Sequence, residues 1–441
     1  MSVPESRGER DRIDRIELYH VDVPLPTPFF PLWIRGYPQH NLRCTLVVLT
    51  TRDGLVGTAT GAAFDRERSG LGEFIGPFLL GLDPFDLDEV AERLEQASIL
   101  GWRNAWIETA FWDLAAQARG IPLHRLIAER TGLPLRAEAP AALPAYASFG
   151  EYRVPEARAE SIERARRLGF RAVKIGLDGA SEHDDLAVVR AARAAGGPDL
   201  EILLHAYQAR RISLVERGPR WSLRRAQAFA EAAASERVAW LQEPLSEGLA
   251  ELAKTSPIPL VGGDVAQSWF ELETLIERGW FRVLTPDLTF SGPTAIVRAM
   301  RALAQRGLGF SPRTFSDGVA LVSNLHALAA WASLDLPQKH PLDAPRLELP
   351  WEPPAMLPAL RDALFERPIE IGEGGTVPVP TASGLGISLD PRALRRYAQR
   401  FYTLTPVRFV ASSARRSGLV ETSAFVEPRR RTARRRRRAP G

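Results

Sequence analysis

Residues 169–176 read Gly-Phe-Arg-Ala-Val-Lys-Ile-Gly, a short apolar run that follows an amphipathic stretch over residues 155–168. From residue 140 onward the same rhythm repeats, and short apolar runs alternate with helical periodicity. The runs are Leu143–Ala147, Ala172–Ile175, Ile202–Leu204, Ala239–Leu241, Leu260–Val261, Val283–Leu284, Gly309–Phe310 and Leu347–Leu349. Eight runs separated by helices over about 200 residues predict a (β/α)8 barrel. The alternative is an open doubly wound sheet, but no glycine-rich phosphate turn opens the first unit.

The chain before the barrel has a different pattern. Residues 16–23 alternate between apolar and polar side chains, and residues 45–50 form a β-branched run that ends in the turn Arg52-Asp-Gly-Leu55. Helical periodicity begins near Leu87 and places Ile107, Phe111 and Leu114 on one stripe. The pattern indicates an α+β domain, so the chain as a whole belongs to the α/β class.

These patterns divide the chain into five segments. They are an N-terminal tail (1–12), an α+β cap domain (13–138), the (β/α)8 barrel (139–372), a C-terminal segment that packs back on the cap (373–405) and a disordered arginine-rich tail (406–441). The formal net charge is +4, but Arg429 to Gly441 contains eight arginines and no acid, which leaves −4 on the rest of the chain. Such a run can bind nucleic acid or another polyanion, although a solvated terminus without a partner is the more common case.

Composition excludes several classes of protein. The 45% hydrophobic and 25% charged fractions are typical of a soluble globular protein. No stretch has the roughly 18 apolar residues that a membrane span requires, and the first 15 residues lack the apolar region of a secretory signal. The single cysteine, Cys44, excludes an internal disulfide or a cysteine zinc cluster. We therefore expect a cytoplasmic protein.

Seven motifs occur in a fixed order along the chain. They are Asp53-Gly-Leu-Val-Gly57, Glu108-Thr-Ala-Phe-Trp-Asp-Leu114, the stretch 169–176 quoted above, Trp240-Leu-Gln-Glu-Pro-Leu245, Pro259-Leu-Val-Gly-Gly-Asp264, Pro286-Asp-Leu-Thr-Phe-Ser-Gly292 and Ser383-Gly-Leu-Gly-Ile-Ser-Leu-Asp390. In this order the chain resembles the mandelate racemase and muconate-lactonizing branch of the enolase superfamily, over residues 13–398. The resemblance implies an enolase-type cap above a modified (β/α)8 barrel, and we expect a homo-oligomer.

The resemblance also implies a chemistry, the abstraction of a proton next to a carboxylate with Mg2+ stabilising the enediolate. Three acidic ligands are expected at the ends of barrel strands three, four and five. Here these positions are His205, Gln242 and Asp264. Only one is a carboxylate, and because Mg2+ prefers hard oxygen ligands we expect weak or no binding. Glu243 could replace Gln242 only if the strand shifted by one residue, since successive side chains on a strand point in opposite directions.

The expected bases are altered as well. Lys174 matches the first lysine of the family pair on strand two, and Gly176 stands where the second lysine, usually the base, is expected. Asp287 matches the aspartate of the His–Asp pair, and Arg313 replaces its histidine. Glu348 matches an acidic residue of strand eight. The resemblance makes Lys174, Asp287, Arg313 and Glu348 the candidate catalytic residues, although a structural Asp287–Arg313 ion pair is the simpler interpretation.

Three further residues are candidates for substrate binding. Trp33 and Arg35 lie in an aromatic loop where family members carry a substrate-covering segment, and Arg210 follows the third barrel strand. The favoured function is an isomerase or hydro-lyase, such as a racemase or an acid-sugar dehydratase, acting on a small hydroxy-carboxylate. In such an enzyme, cations replace the metal, and His205 or Asp287 transfers the proton. The alternative is a non-catalytic descendant that binds a carboxylate or serves as an assembly subunit.

Overall fold

A computed structural model of the chain describes residues 12–62, 71–100, 103–209, 212–412 and 414–415. Its strands are β1 (Ile13–Phe29), β2 (Gln39–Thr51), β3 (Val56–Ala62), β4 (Ala142–Phe149), β5 (Ala172–Gly176), β6 (Glu201–His205), β7 (Val238–Gln242), β8 (Leu260–Gly262), β9 (Val283–Leu284), β10 (Gly309–Phe310), β11 (Leu347–Pro350), β12 (Thr376–Pro378) and β13 (Ala398–Leu404).

The α-helices fill the connections between these strands. They are α1 (Leu71–Leu79), α2 (Leu87–Leu100), α3 (Glu108–Ala118), α4 (Leu123–Thr131), α5 (Pro155–Arg167), α6 (Glu182–Gly196), α7 (Leu223–Ser235), α8 (Leu249–Thr255), α9 (Trp269–Arg278), α10 (Leu288–Ser291), α11 (Pro293–Arg306), α12 (Gly318–Ala332), α13 (Pro358–Arg361) and α14 (Pro391–Tyr397). None of the helices described is long and apolar enough to cross a membrane.

The cap is an antiparallel sheet in the order β13-β1-β2-β3; α1 and α3 pack on the sheet, and α2 and α4 pack on α3. The register pairs Val21 with Cys44 and Val23 with Leu42, so one face of the β1–β2 ribbon is apolar. Phe111 and Leu114 of α3 are fully buried beneath the sheet, as the predicted stripe required.

The second domain is a barrel of parallel strands. The strands pair in the order β10-β9-β8-β7-β6-β5-β4-β11. The last strand therefore lies beside the first, which confirms the predicted barrel and shows that the doubly wound alternative is wrong. Between β10 and β11, side chains complete the circle: the Ser311 hydroxyl donates to the Arg346 carbonyl oxygen at 3.1 Å, and the Thr314 amide donates to Glu348 at 3.0 Å.

The barrel interior changes character along the strands. A lower layer is apolar and contains Tyr146, Ala172, Leu203 and Trp240. Because inward-facing residues recur every second position, the next inward residues of these strands lie one layer nearer the C-terminal mouth. These include Lys174 and Gln242, so the polar layer rests on a packed apolar base.

The C-terminal region contacts both domains. β12 pairs with β4 of the barrel, and β13 pairs with β1 of the cap. Residues 406–412 are helical, and Phe409 is buried against the core. These residues fall in the segment that was predicted to be disordered, and they are helical instead because an apolar residue in this stretch finds a surface to pack on. The arginine run lies outside the described residues, and the other predicted segment boundaries stay predictions.

Candidate active site

A buried ion pair lies at the centre of the barrel mouth. The Lys174 ammonium contacts the Glu348 carboxylate at 2.6 Å and donates to the Gln242 side-chain oxygen at 3.3 Å. Glu348 also accepts a hydrogen bond of 2.6 Å from the Ser148 hydroxyl. Burial raises the pKa of Glu348, but Lys174 and Ser148 lower it more, so the net pKa lies below the ordinary glutamate value. The first candidate lysine is therefore neutralised by the strand-eight carboxylate.

The three predicted metal positions converge on one carboxylate oxygen. The Oδ2 atom of Asp264 lies 3.7 Å from His205 Nε2 and 3.4 Å from Gln242 Nε2. All three side chains are buried, and Gln242 is completely inaccessible. His205 stacks on the Tyr207 ring with centroids 3.6 Å apart. The three side chains therefore form one buried polar cluster at the barrel mouth.

This cluster does not fit Mg2+. The amide of Gln242 directs its N–H groups at Asp264 and its oxygen at the Lys174 ammonium, so neither end is a free oxygen donor. Imidazole is a poor ligand for Mg2+, which leaves Asp264 as the one carboxylate among these three positions. Within the described part of the chain, no group of three His, Cys, Asp or Glu side chains is placed to hold a metal.

Glu243 also reaches the mouth, which the sequence did not predict. Its backbone has φ of 50°, a left-handed conformation that is rare outside glycine and breaks the alternation of the strand. The carboxylate lines the cavity, accepts a 2.7 Å hydrogen bond from the Gly263 amide and interacts with Asp264. Burial raises the pKa of Asp264 above its ordinary value, although Arg313 and Lys174 oppose the rise. No residue pattern signals this turn in advance.

Asp287 and Arg313 form the ion pair that was the simpler interpretation of their positions. The guanidinium donates to Asp287 Oδ2 at 2.9 Å. The other oxygen of Asp287 accepts from the Thr289 amide, the Thr289 hydroxyl and the Asn324 amide at 2.8 to 2.9 Å. Asp287 is fully buried and caps α10, so both of its carboxylate oxygens already accept hydrogen bonds from the protein. Arg313 lines the cavity and has further N–H donors beyond this bond and one to the Phe315 carbonyl oxygen.

The position of the usual base is filled by other side chains. A Cβ atom at Gly176 would lie 2.5 Å from Leu32 Cδ1 and 2.9 Å from the Tyr207 ring. Leu32 belongs to the loop between β1 and β2, and its amide donates to the Gly150 carbonyl oxygen at 3.0 Å. At the position where the family carries a lysine, side chains of the loop and the barrel therefore pack closely and occupy the space.

The predicted substrate-binding residues differ in whether they lie on the cavity wall. Trp33 lines the cavity and packs edge-on against Phe315 with centroids 5.3 Å apart. Arg35 is instead engaged by Asp178 at 2.6 Å and Glu216 at 3.1 Å, and it does not appear on the cavity wall. These two ion pairs connect the loop between β1 and β2 to the barrel. Arg210 lies outside the described residues.

These groups surround one cavity of about 690 Å3 between the cap and the barrel mouth. Its floor, defined here by the charged and imidazole side chains of the barrel, consists of Lys174, His205, Glu243, Asp264, Arg313 and Glu348. Each floor cation has a carboxylate partner, since Lys174 pairs with Glu348 and Arg313 pairs with Asp287. A cavity of this volume is large enough to bind an organic ligand.

Comparison with known proteins agrees with this architecture. Residues 15–128 match the mandelate racemase / muconate lactonizing enzyme N-terminal domain, and residues 157–393 match the enolase C-terminal domain-like family. The chain is 24% identical over 398 residues to a D-galactarolactone cycloisomerase of Agrobacterium fabrum, covering 88% of this chain and 98% of the relative.

Two further likenesses involve a dehydratase. The chain is 24% identical over 411 residues to an L-talarate/galactarate dehydratase of Salmonella typhimurium, covering 88% of this chain and 92% of the relative. The solved structure of this dehydratase with Mg and L-lyxarohydroxamate shares the fold with a TM-score of 0.73 at 22% identity, covering 92% of this chain and 97% of that one. The relatives are thus isomerases and hydro-lyases. The chain belongs to the enolase superfamily, in its mandelate racemase and muconate-lactonizing enzyme branch.

Proposed function

We propose that this protein is an isomerase or hydro-lyase that moves a proton next to the carboxylate of a small hydroxy acid without a divalent metal. The observation that carries the proposal is the His205–Asp264 pair, 3.7 Å apart on the floor of a cavity that also presents Lys174 and Arg313. The named activities of the cycloisomerase and dehydratase relatives support the reaction class.

Arg313 is the group that binds the substrate carboxylate. Its guanidinium is always charged, so it cannot take the part of a base. Its side chain retains 17% exposure, compared with 4% for Lys174 and 6% for His205. Because a planar guanidinium presents donors in a fork, it can hold a carboxylate while it keeps its bond to Asp287.

His205 is the proton-transfer group. It lines the cavity, whereas Asp287, the other candidate, is enclosed by its own hydrogen bonds. A proton leaves the substrate carbon for the imidazole, and the bonding electrons pass to the carboxylate beside Arg313 and Lys174. Asp264 stabilises the imidazolium that results. The proton then returns to the carbon skeleton in an isomerase, or leaves with the β-hydroxyl as water in a hydro-lyase.

Two observations favour a second candidate, a protein that binds the carboxylate but does not react with it. The position of the family base at Gly176 is closed by Leu32 and Tyr207, and each floor cation already has a carboxylate partner. The same cavity would then serve recognition alone.

Exchange of substrate hydrogen for deuterium separates the two functions. We expect the protein to exchange the α hydrogen of hydroxy acids for deuterium from heavy water, with or without a chelator. His205→Asn should abolish exchange and keep ligand binding, while Arg313→Gln should weaken binding itself. Tight binding with no exchange in the native protein supports the second candidate, and exchange that a chelator abolishes overturns the metal-independent mechanism.

A further inference from the structure

The positive charge of this chain is concentrated at its C-terminal end. Residues 391–441 contain 15 arginines, two glutamates and no lysine or aspartate, which gives this stretch a net charge of +13. Since the whole chain carries +4, residues 1–390 carry −9. Between residues 391 and 420 the sequence contains no acidic residue. A charge asymmetry of this size indicates an interaction with a polyanion.

Helix α14 presents three of these arginines on one side. Arg392, Arg395 and Arg396 are all exposed, and the α-helical period places them within an arc of about 100°. We call these three residues the arginine face. The opposite side of the helix carries Leu394 and Tyr397, which pack against the hydrophobic core. Because this packing fixes the orientation of the helix, the arginine face is directed to solvent.

The arginine face is not neutralised by carboxylates. Among the described residues, none of the ion pairs involves an arginine of this face, whereas Arg400 on β13 pairs with Glu17 at 2.5 Å. Asp390 precedes the helix, but its carboxylate acts as the helix cap and accepts a 2.8 Å hydrogen bond from the Arg392 amide. Three guanidinium groups on a folded helix therefore remain available to an anionic partner.

The position of the face in the fold separates it from the candidate active site. β13 follows α14 directly and is the edge strand of the cap sheet, where it pairs with β1. Phe409 then packs residues 406–412 onto the core, and the chain continues toward the arginine run. None of the described residues between 391 and 415 lines the cavity. The arginine face therefore belongs to the surface of the cap from which the arginine run extends.

We infer that the arginine face binds the phosphate backbone of nucleic acid, together with the arginine run of residues 429–438. A guanidinium can hold a phosphate through two parallel hydrogen bonds, and this part of the chain uses arginine and no lysine. Since a few phosphate contacts bind only weakly at physiological salt, the face and the run should act together. The inference goes beyond the proposed function and does not depend on it.

A membrane surface is the less favoured partner. Helices that lie on a membrane present large apolar side chains beside their cations. In the described residues after 390, the exposed large apolar side chains are Val407 and Val410, and neither lies on α14. The face itself is purely cationic, which fits a sequence-independent contact with phosphates.

The salt dependence of nucleic acid binding tests the inference. The probes are fluorescently labelled DNA and RNA duplexes of about 20 base pairs, or two helical turns, titrated with the full-length protein and followed by anisotropy. Each arginine–phosphate contact contributes about 1 to the slope of log affinity against log salt. The triple variant Arg392→Gln/Arg395→Gln/Arg396→Gln should therefore lower the slope by about 3, equally for unrelated duplex sequences, and weaken binding tenfold or more at about 0.1 M salt.

Two further variants separate the face from total charge. Arg164→Gln/Arg167→Gln/Arg171→Gln is the matched control, because it removes three exposed arginines from the barrel surface, and it should leave the slope near the native value. Lysine at all three positions of the arginine face keeps the charge and should retain most of the native slope. Since all the exchanged side chains are exposed, each variant should keep the native melting temperature, which circular dichroism checks.

Three results would overturn the inference. If the α14 variant binds with the native slope and affinity, the arginine run acts alone and the face is not a site. If the barrel control lowers the slope as much as the α14 variant does, total charge is the cause. If the native protein binds neither duplex, nucleic acid is not the partner, and binding to vesicles of phosphatidylserine and phosphatidylcholine in equal parts would then identify a membrane surface instead. None of these results bears on the proposed function, which concerns the cavity.

Discussion

Replacing Gly176 with alanine tests whether the loop and the barrel have closed the position of the family base. The added Cβ atom would lie 2.5 Å from Leu32 Cδ1, 2.9 Å from the Tyr207 ring and 3.4 Å from the Phe149 carbonyl oxygen. The first two distances are well inside van der Waals contact, so at least one neighbour must move. Tyr207 cannot move cheaply, because it is buried, stacked on His205 and held at φ of 53°.

We expect the Gly176→Ala protein to lose about 1–3 kcal/mol of stability, the usual cost of inserting a methyl group into a packed site. For a domain of about 150–250 residues each ~1 kcal/mol lowers the melting temperature by roughly 2–4 °C. Thermal unfolding followed by circular dichroism measures the change. Leu32→Ala provides the matched background: there the same Gly176→Ala change should cost less by ~0.5 kcal/mol or more.

Two results would refute this reasoning. If Gly176→Ala melts at the native temperature, the position is open and a base could be restored there without rearrangement. If the alanine costs as much with Leu32 present as with Leu32 removed, the loop does not close the site. The second result would leave Tyr207 alone as the source of the steric conflict with the added Cβ atom.

The remaining predictions concern pH and the C-terminal tail. Burial raises the pKa of Glu108 to about 7, so the folded state holds a proton that the unfolded state releases. The contribution of Glu108 to stability should therefore fall as pH rises from about 4 to about 7, and Glu108→Gln should remove that contribution from the pH dependence in urea titrations. Burial lowers the pKa of His326 to about 3, so this group contributes a slope of the opposite sign: its contribution to stability should fall as pH decreases from about 6.5 toward 3, and His326→Gln should remove that loss. Removal of residues 427–441 should leave the melting temperature and ligand binding unchanged, while any affinity for polyanions should disappear and, in the full chain, fall steeply with salt. Loss of several degrees on truncation would show that the tail packs on the folded body.

The fold could be predicted from the sequence because its strands are short apolar runs between amphipathic helices. Even the two-residue strands Val283–Leu284 and Gly309–Phe310 were found this way, since each lies between strong helical patterns. Helix α1 was not predicted. It contains Pro77, and a proline inside a helix contradicts the rules by which helices are recognised in a sequence.

The site was predictable only where strand alternation holds. His205, Gln242 and Asp264 converge because each occupies the mouth end of neighbouring strands. Glu243 was assigned to the wrong side, because a left-handed backbone at the strand end turns its side chain into the cavity. Arg35 was assigned to the substrate because it lies in the loop where family members carry a substrate-covering segment. Its ion-pair partners, Asp178 and Glu216, are distant in sequence, and no sequence pattern indicates these pairs.

Mg2+ binding tests the central claim that this cavity works without a divalent metal. Isothermal titration of the purified protein with Mg2+ should give no heat of binding, because Asp264 is the single carboxylate among the three ligand positions. The double variant His205→Asp with Gln242→Glu restores two carboxylates at those positions and serves as the positive control. Micromolar affinity in the native protein that is lost in Asp264→Ala would contradict the claim.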